Sequence, residues 1–498
     1  MYKNIFRAAA LLSVFAFQLH SQEHLTILHW NDFHSQNLPF QVRAAHGDSA
    51  YMVGGSGIFA AYLKKYNAGD SVTLKLNAGD DFQGSPISSI TKGESQIQLL
   101  NLLHPDAMAL GNHEFDYGSG SLRQKIAKTT FPVISANLLD VETSRPFAGT
   151  YIVRQIGKIK AAIVGLMTPD LKSLSLPENV RSVEVESPIE TINRIVPELK
   201  RQGVDLIIAL THEGVDEDSI LALHAPDVDI IVGGHSHTPL FRPKVVNGIY
   251  ITQAGSRGRW LGKIDVTIDT VKDTILTFQS RLIECRTNEI KEDSVVSAKA
   301  LEFEQLVNKS LSKIIGVLKT DWSRTYQGES NIGDWIADAM KAYAKTDIAF
   351  QNSGGIRKDL LAGNITIRDI WEISPFGNTL VSFTVSGGVL REMLQFHIAA
   401  SNDYCQSSGL TVVYRIVDGK RMIHNIKVNG KLLDPAKQYS IVTNNYVAAQ
   451  SQKYFGVTLD EKAVTQLNAI DRDVLIEAVQ RQKTISSSIQ GRIKEAEE

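Results

Sequence analysis

Cysteine is nearly absent. Cys285 and Cys405 are the two in 498 residues. That excludes a disulfide framework, so the fold must rest on buried apolar surface, which a chain of this length can supply. The two cysteines lie on opposite sides of the expected domain boundary, and no bridge between them is expected. Excess charge is also absent. A net charge of −2 gives no basic field, which argues against nucleic acid as a bulk polyanionic partner. No hydrophobic run is long enough to span a bilayer. Ala8 to Phe17 is apolar apart from Ser13, with Lys3 and Arg7 before it and Leu19-His20-Ser21 after it. This is the pattern of a secretory signal over residues 1–21, too short for a transmembrane helix. No cysteine follows it closely, and Lys494-Glu495-Ala496-Glu497-Glu498 is not a hydrophobic tail. An exported protein, periplasmic or extracellular and without a membrane anchor, is expected. Internal repeats and low-complexity tracts are missing too.

What is present is a regular alternation of strands and helices from His24 to about Arg286. Apolar runs at Leu25–Leu28, Val72–Leu76, Pro132–Ile134, Ala161–Leu166, Leu206–Leu210, Val228–Val232 and Ile249–Thr252 read as strands. Ser187-Pro188-Ile189-Glu190 reads as a capping box that opens a helix closed by Gly203, with Pro197 inside it. Such alternation predicts a layered α/β domain over residues 22–290. A charged segment without Gly or Pro, Asp293 to Ile314, carries Leu301, Leu306 and Leu311 at helical spacing and predicts a linker helix within 291–318. A second, smaller α/β domain over 319–498 is expected. Its helix is marked by Ile332, Trp335, Ile336, Ala339, Met340 and Tyr343, and its strands by Ile348–Phe350, Leu380–Val385, Thr411–Ile416 and Tyr439–Thr443.

Histidine is unevenly placed. Of thirteen, only His397 and His424 lie beyond residue 240. Polar donors cluster directly after apolar strands. Asp32-Phe33-His34 follows the first strand, and in extended backbone its two donors face the same way. Gly79-Asp80-Asp81-Phe82-Gln83-Gly84 offers a carboxylate with backbone room around it, with Asp81 as the competing carboxylate. In Leu110-Gly111-Asn112-His113-Glu114-Phe115-Asp116, Gly111 is expected to make a sharp turn, Asn112 to offer a carbonyl oxygen, and Asp116 to orient His113. Thr211-His212-Glu213-Gly214 and Gly233-Gly234-His235-Ser236-His237 follow two further strands. The C-terminal ends of parallel strands share one sheet edge. Asp32, His34, Asp80, Asn112, His212, His235 and His237 would therefore converge. Seven donors with one shared carboxylate make two sites of about four ligands each, with positions open to water.

The motifs D-F-H, G-D-D-F-Q-G, G-N-H-E-F-D, T-H-E-G and G-H-S-H resemble the calcineurin-like metallophosphoesterase superfamily. In that order they resemble, more narrowly, the secreted 5'-nucleotidase / UDP-sugar hydrolase family. Asn331 to Met340, Asn352-Ser353-Gly354-Gly355-Ile356-Arg357 and Pro375-Phe376-Gly377-Asn378 resemble that family's C-terminal domain. The resemblance implies one metal held by Asp32, His34, Asp80 and His237 and another by Asp80, Asn112, His212 and His235. It implies attack of a metal-bound hydroxide on phosphorus. His113, outside the metal shell and oriented by Asp116, would assist the leaving group. Zn, Mn, Co or Fe all suit such mixed donors. In the second domain it implies a nucleoside site, for which Tyr404 and Tyr446 are the stacking candidates and Arg357 the candidate for a substrate phosphate. Where the family has G-G-D-G-[FY], this chain reads Gln450-Ser451-Gln452-Lys453-Tyr454. The activity expected is dephosphorylation of nucleoside 5'-monophosphates. The alternatives are hydrolysis of UDP-sugars, cyclic nucleotides or a non-nucleotide phosphoester, and, third, a nucleotide-binding protein without turnover.

Overall fold

The computed structural model describes residues 22–43, 50–67, 73–399 and 404–496. The expected signal segment, 1–21, lies outside them. The chain forms two compact units, one of residues up to 83 with 90–304 and one of residues 84–89 with 305 onward. Among the described residues, no helix is long and apolar enough to cross a membrane. Cys285 and Cys405 are both buried, and neither forms a disulfide among the described residues.

The first unit is built on two six-stranded sheets. One runs, edge to edge, Thr274–Glu284, Trp260–Asp269, Gln22–Trp30, Thr73–Asn77, Ala107–Ala109, Val133–Ile134. Its last four strands are parallel, and the first two pair antiparallel. The other runs Lys244–Val246, Ile249–Gln253, Ile230–Gly233, Leu206–His212, Ile159–Met167, Tyr151–Ile156, with a parallel centre and antiparallel edges. Alternation along each strand explains the layering. Leu206, Ile208 and Leu210 join Leu25, Ile27, Leu74 and Leu76 in the core between the sheets. Ile207 and Ala209 turn the other way, against Ile192, Val196 and Leu199 of the helix Pro188–Arg201. Strands buried on both faces must be continuously apolar, which is why these runs were legible. That helix starts where Ser187 accepts from the Glu190 amide, as its sequence predicts.

The linker segment differs from expectation. Its helix is Ser294–Leu311, and the buried stripe is Val296, Ala300, Phe303, Val307 and Leu311. Leu301 and Leu306, expected on that stripe, are exposed, so the apolar face is turned relative to the one predicted. Ile314–Leu318, expected inside the linker, is a strand paired with Gly363–Thr366 and Thr484–Ile485. Its β-branched residues favour that state.

In the second unit the sheet order is Cys405–Ser408, Ile348–Asn352, Gln438–Asn444, Thr379–Ser386, Thr465–Ile470. Ala349 and Val442 face helices Asn331–Ala344 and Asp471–Gln482, while Ile348, Phe350 and Ile441 face helix Gly387–Ala399. The Asp418-Gly419 turn, with φ of 50° and 75°, joins Leu410–Val417 to Lys420–Val428 as its sequence predicts.

Candidate active site

The five donor-bearing segments all emerge at the C-terminal ends of parallel strands of the first unit. Asp32 and His34 follow Gln22–Trp30, Asp80 follows Thr73–Asn77, and Asn112 and His113 follow Ala107–Ala109. His212 ends Leu206–His212, and His235 and His237 follow Ile230–Gly233. Three sets of side chains bring their ligand atoms within 4.8 Å of one another: Asp32, His34 and His237; Asp80, His212 and His235; and His34, Asp80 and His113. Asn112 joins the second set, its Oδ1 lying 3.0 Å from His235 Nδ1.

The donor atoms of each set lie close together. His34 Nε2 and His237 Nε2 are 2.9 Å apart, and Asp32 Oδ1 lies 3.2 Å from the latter. His212 Nε2 lies 3.1 Å from Asp80 Oδ2. Asp32 Oδ1 and His212 Nε2 are buried, yet neither makes a hydrogen bond of good geometry. Buried polar atoms left this way are costly. Carboxylate and imidazole groups that converge like this fit divalent cations, whose bonds would satisfy them. The second ring nitrogen of His212 donates to the Ala78 carbonyl at 2.6 Å, which fixes Nε2 as the ligating atom. Burial acts to lower the His212 pKa, but the Asp80 carboxylate beside it overrides this and pushes it up to about 10. A cation bound there would displace that proton.

Backbone strain is concentrated in the same residues. Asp32, His34, Asp80, His235 and His237 all have φ between 49° and 76°. A non-glycine residue in that region costs about 1–2 kcal/mol, and it persists only where its surroundings over-determine it. Here they do. The amides of Asp32 and His34 donate to the carbonyls of Gly79 and Asp80, at 2.8 and 3.0 Å. The His235 amide donates to Asp32 Oδ2 at 2.9 Å. Gly111 is needed for space, not for the sharp turn expected of it. Its φ is −98°, and a Cβ there would stand 2.1 Å from Asp80 Oδ1.

Four supporting residues escaped the sequence reading. Glu114 is 1% exposed and accepts from four backbone amides: Asp80 and Gly111 at one oxygen, Asp81 and Phe82 at the other. The capping-box spacing from Gly111 to Glu114 was its signal. Asn31 donates to Asp32 Oδ2 and to the Gly255 carbonyl, and accepts from the Ala254 amide. Gln253 donates to the Gly234 carbonyl and accepts from Ser236 and Thr238. Asn77 donates to Asp81 Oδ2 and accepts from the Gly79 amide. The two adjacent carboxylates differ in their surroundings. Burial, and then Glu114, push the Asp81 carboxyl well above its ordinary range. Burial pulls Asp80 the same way, but His212 and His113 hold it well below that range, so Asp80 is the charged one.

His113 is set apart by its partner. Its Nδ1 bonds Asp116 Oδ2 at 2.8 Å, and its Nε2 lies 4.0 Å from Asp80 Oδ2.

In the second unit, strand register brings the remaining candidates to one sheet edge. Asn352 pairs with Cys405, Leu380 with Asn444, and Ile348–Asn352 runs parallel to Gln438–Asn444. Arg357, Phe376, Tyr404 and Tyr446 all sit just beyond those strand ends. The Arg357 guanidinium lies 5.8 Å from the Phe376 ring centre, and its amide donates to the Ile373 carbonyl. Tyr446 stands edge-on to Tyr454, with centroids 6.3 Å apart. Tyr454, the last residue of the divergent segment, is 3% exposed in the short helix Ser451–Phe455 and belongs to the core.

Residues 25–239 match the family described as calcineurin-like phosphoesterase, and residues 314–457 match the 5'-nucleotidase, C-terminal domain. The chain is 30% identical over 509 residues to endonuclease YhcR of Bacillus subtilis, covering 96% of this chain and 41% of that longer protein. It is 29% identical over 505 residues to a 5'-nucleotidase of Vibrio cholerae, covering 91% of this chain and 89% of that one. The crystal structure of a 5'-nucleotidase precursor from Thermus thermophilus superposes with a TM-score of 0.86 at 28% identity, over 96% of this chain and 100% of that chain. The first of the two family matches spans all five donor-bearing segments, and the second lies within the second unit. The chain belongs to the calcineurin-like phosphoesterases that carry a 5'-nucleotidase C-terminal domain, and it is a metal-dependent phosphoester hydrolase.

Proposed function

We propose that the protein dephosphorylates nucleoside 5'-monophosphates at a centre of two divalent ions, Zn, Mn, Co or Fe. The chemistry rests on one observation: Asp80 belongs to two of the three donor sets, one with His212 and His235 and one that shares His34 with Asp32 and His237. Asp32, His34, Asp80 and His237 would hold one ion, and Asp80, Asn112, His212 and His235 the other. Ions so held lower the pKa of a water and neutralise phosphoryl oxygens. The rest falls to the chain. Asp116 keeps a proton on His113 Nδ1 and fixes the ring. A protonated His113 then offers its Nε2 proton to the departing oxygen. Arg357 would take a substrate phosphate, and Tyr404 and Tyr446 the base.

One observation favours a second reading. Segment 450–454 lacks the family's glycines and aspartate, and Tyr454 is buried with its ring edge-on to that of Tyr446. A UDP-sugar, a cyclic nucleotide or a non-nucleotide phosphoester is then the substrate. A panel of phosphate esters with and without added divalent metal decides between them. Release from nucleotides alone, abolished by chelator, supports the first reading. Equal cleavage of simple esters removes it. Export is part of the proposal and rests on Lys3, Arg7 and the apolar run after them. N-terminal sequencing of the protein recovered outside the cytoplasm tests it, and an intact N-terminus would overturn a cleaved signal.

A further inference from the structure

We infer that His397 is a positioning residue that holds both aromatic walls of the nucleoside site, an inference that rests on the nucleotide reading above. His397 lies near the end of helix Gly387–Ala399 and is 4% exposed. Its Nδ1 donates to the Tyr454 carbonyl at 3.3 Å, and its Nε2 accepts from the Cys405 amide at 3.2 Å. A carbonyl can only accept and an amide can only donate, so these partners fix one neutral tautomer. Burial keeps it neutral by pushing the pKa down to about 4.

The two bonds reach the two segments that carry the candidate aromatics. Cys405 directly follows Tyr404, whose ring centre is 5.7 Å from that of His397. The Tyr404 carbonyl in turn accepts from the Ser353 amide at 2.8 Å, in the loop that leads to Arg357. Tyr454 supports Tyr446 edge-on, and Phe455 beside it packs 5.9 Å from the His397 ring. One imidazole therefore sets the distance between the Tyr404 and Tyr446 segments. A leucine would fill the same volume but would remove both of these hydrogen bonds, loosening both segments. In a chain whose 450–454 segment carries neither the glycines nor the aspartate of its relatives, this link is a different means of holding that segment.

The test compares a nucleoside 5'-monophosphate with 4-nitrophenyl phosphate in the metal-loaded full-length enzyme and in its His397→Leu, His397→Gln and His397→Asn variants. Gln retains an acceptor for the Cys405 amide, and Asn a donor for the Tyr454 carbonyl. In His397→Leu, KM for the nucleotide should rise roughly tenfold, the size of one or two neutral hydrogen bonds. Its kcat, and all constants for 4-nitrophenyl phosphate, should stay near wild type. Each polar variant should recover part of the loss. Unchanged 4-nitrophenyl phosphate turnover reports an intact fold, and the polar variants carry the test if leucine prevents folding. A wild type that prefers the nucleotide, with variants that keep its KM or lose both substrates together, overturns the inference alone. A wild type with no preference overturns the nucleotide reading and the inference with it.

Discussion

Gly111 touches Asp80: a Cβ at residue 111 would lie 2.1 Å from Asp80 Oδ1 and 2.6 Å from its amide nitrogen. The loop after Ala107–Ala109 therefore closes on the loop after Thr73–Asn77 with no room for a methyl group. Gly111→Ala should displace the Asp80 carboxylate while sparing the sheets. Metal content after dialysis against sub-stoichiometric ion should fall, with apparent affinity down about 10–100-fold, the usual size for disturbed ligand support. Wild-type metal content in this variant would sink the argument.

Glu114 gathers four amides from two loops. Glu114→Gln keeps the size but turns donors toward donors at one end of the side chain. A buried group left unpaired costs about 1–3 kcal/mol. Chemical unfolding should show a loss of that order together with weaker metal binding. Wild-type stability with full activity would mean the four amides do not depend on the carboxylate.

His113 bonds Asp116 rather than another member of the donor clusters through Nδ1. His113→Ala should lower turnover by about 10²–10⁴, the range for a positioned proton donor. Bound metal should remain at the wild-type level, as read by elemental analysis. Loss of metal in proportion to turnover would instead make His113 a ligand, as its place beside His34 and Asp80 also permits geometrically.

His29 gives a pH dependence separate from the metal centre. It is 0% exposed, neither ring nitrogen has a partner, and burial lowers its pKa from 6.5 to about 4. The folded pKa is depressed, so the unfolded chain binds the extra proton between those values. Stability from this group is fully present above pH 6.5 and is lost as pH falls toward 4. The loss is on the order of 3 kcal/mol. His29→Phe should flatten the stability profile over that window, measured by denaturant titration at several pH values. Parallel profiles for variant and wild type would exclude His29 as the source.

The donor clusters were readable because each donor directly follows an apolar run, and such runs are the buried strands of parallel sheets. Less was readable where a residue's role comes from contacts distant in sequence. Thr274–Glu284 and Trp260–Asp269 escaped as strands because an edge strand and its neighbour need not be continuously apolar. The buried face of Ser294–Leu311 was misjudged, since leucines mark a stripe only when something packs on them.

The order of residues along the chain was enough to read the donor set, and the resemblance its motifs carry implied the reaction class. It set which residue types follow which strands, and parallel strands deliver their ends to one edge. Tertiary structure decided the rest of the opening relationship and of the site. It made Asp80 rather than Asp81 the charged carboxylate, through the histidines that face it. It held five donor residues of the candidate site in left-handed backbone, which no local propensity favours. It also assigned Gly111 its purpose, because the atom that excludes a side chain there belongs to the loop after an earlier strand, and only folding brings the two loops together.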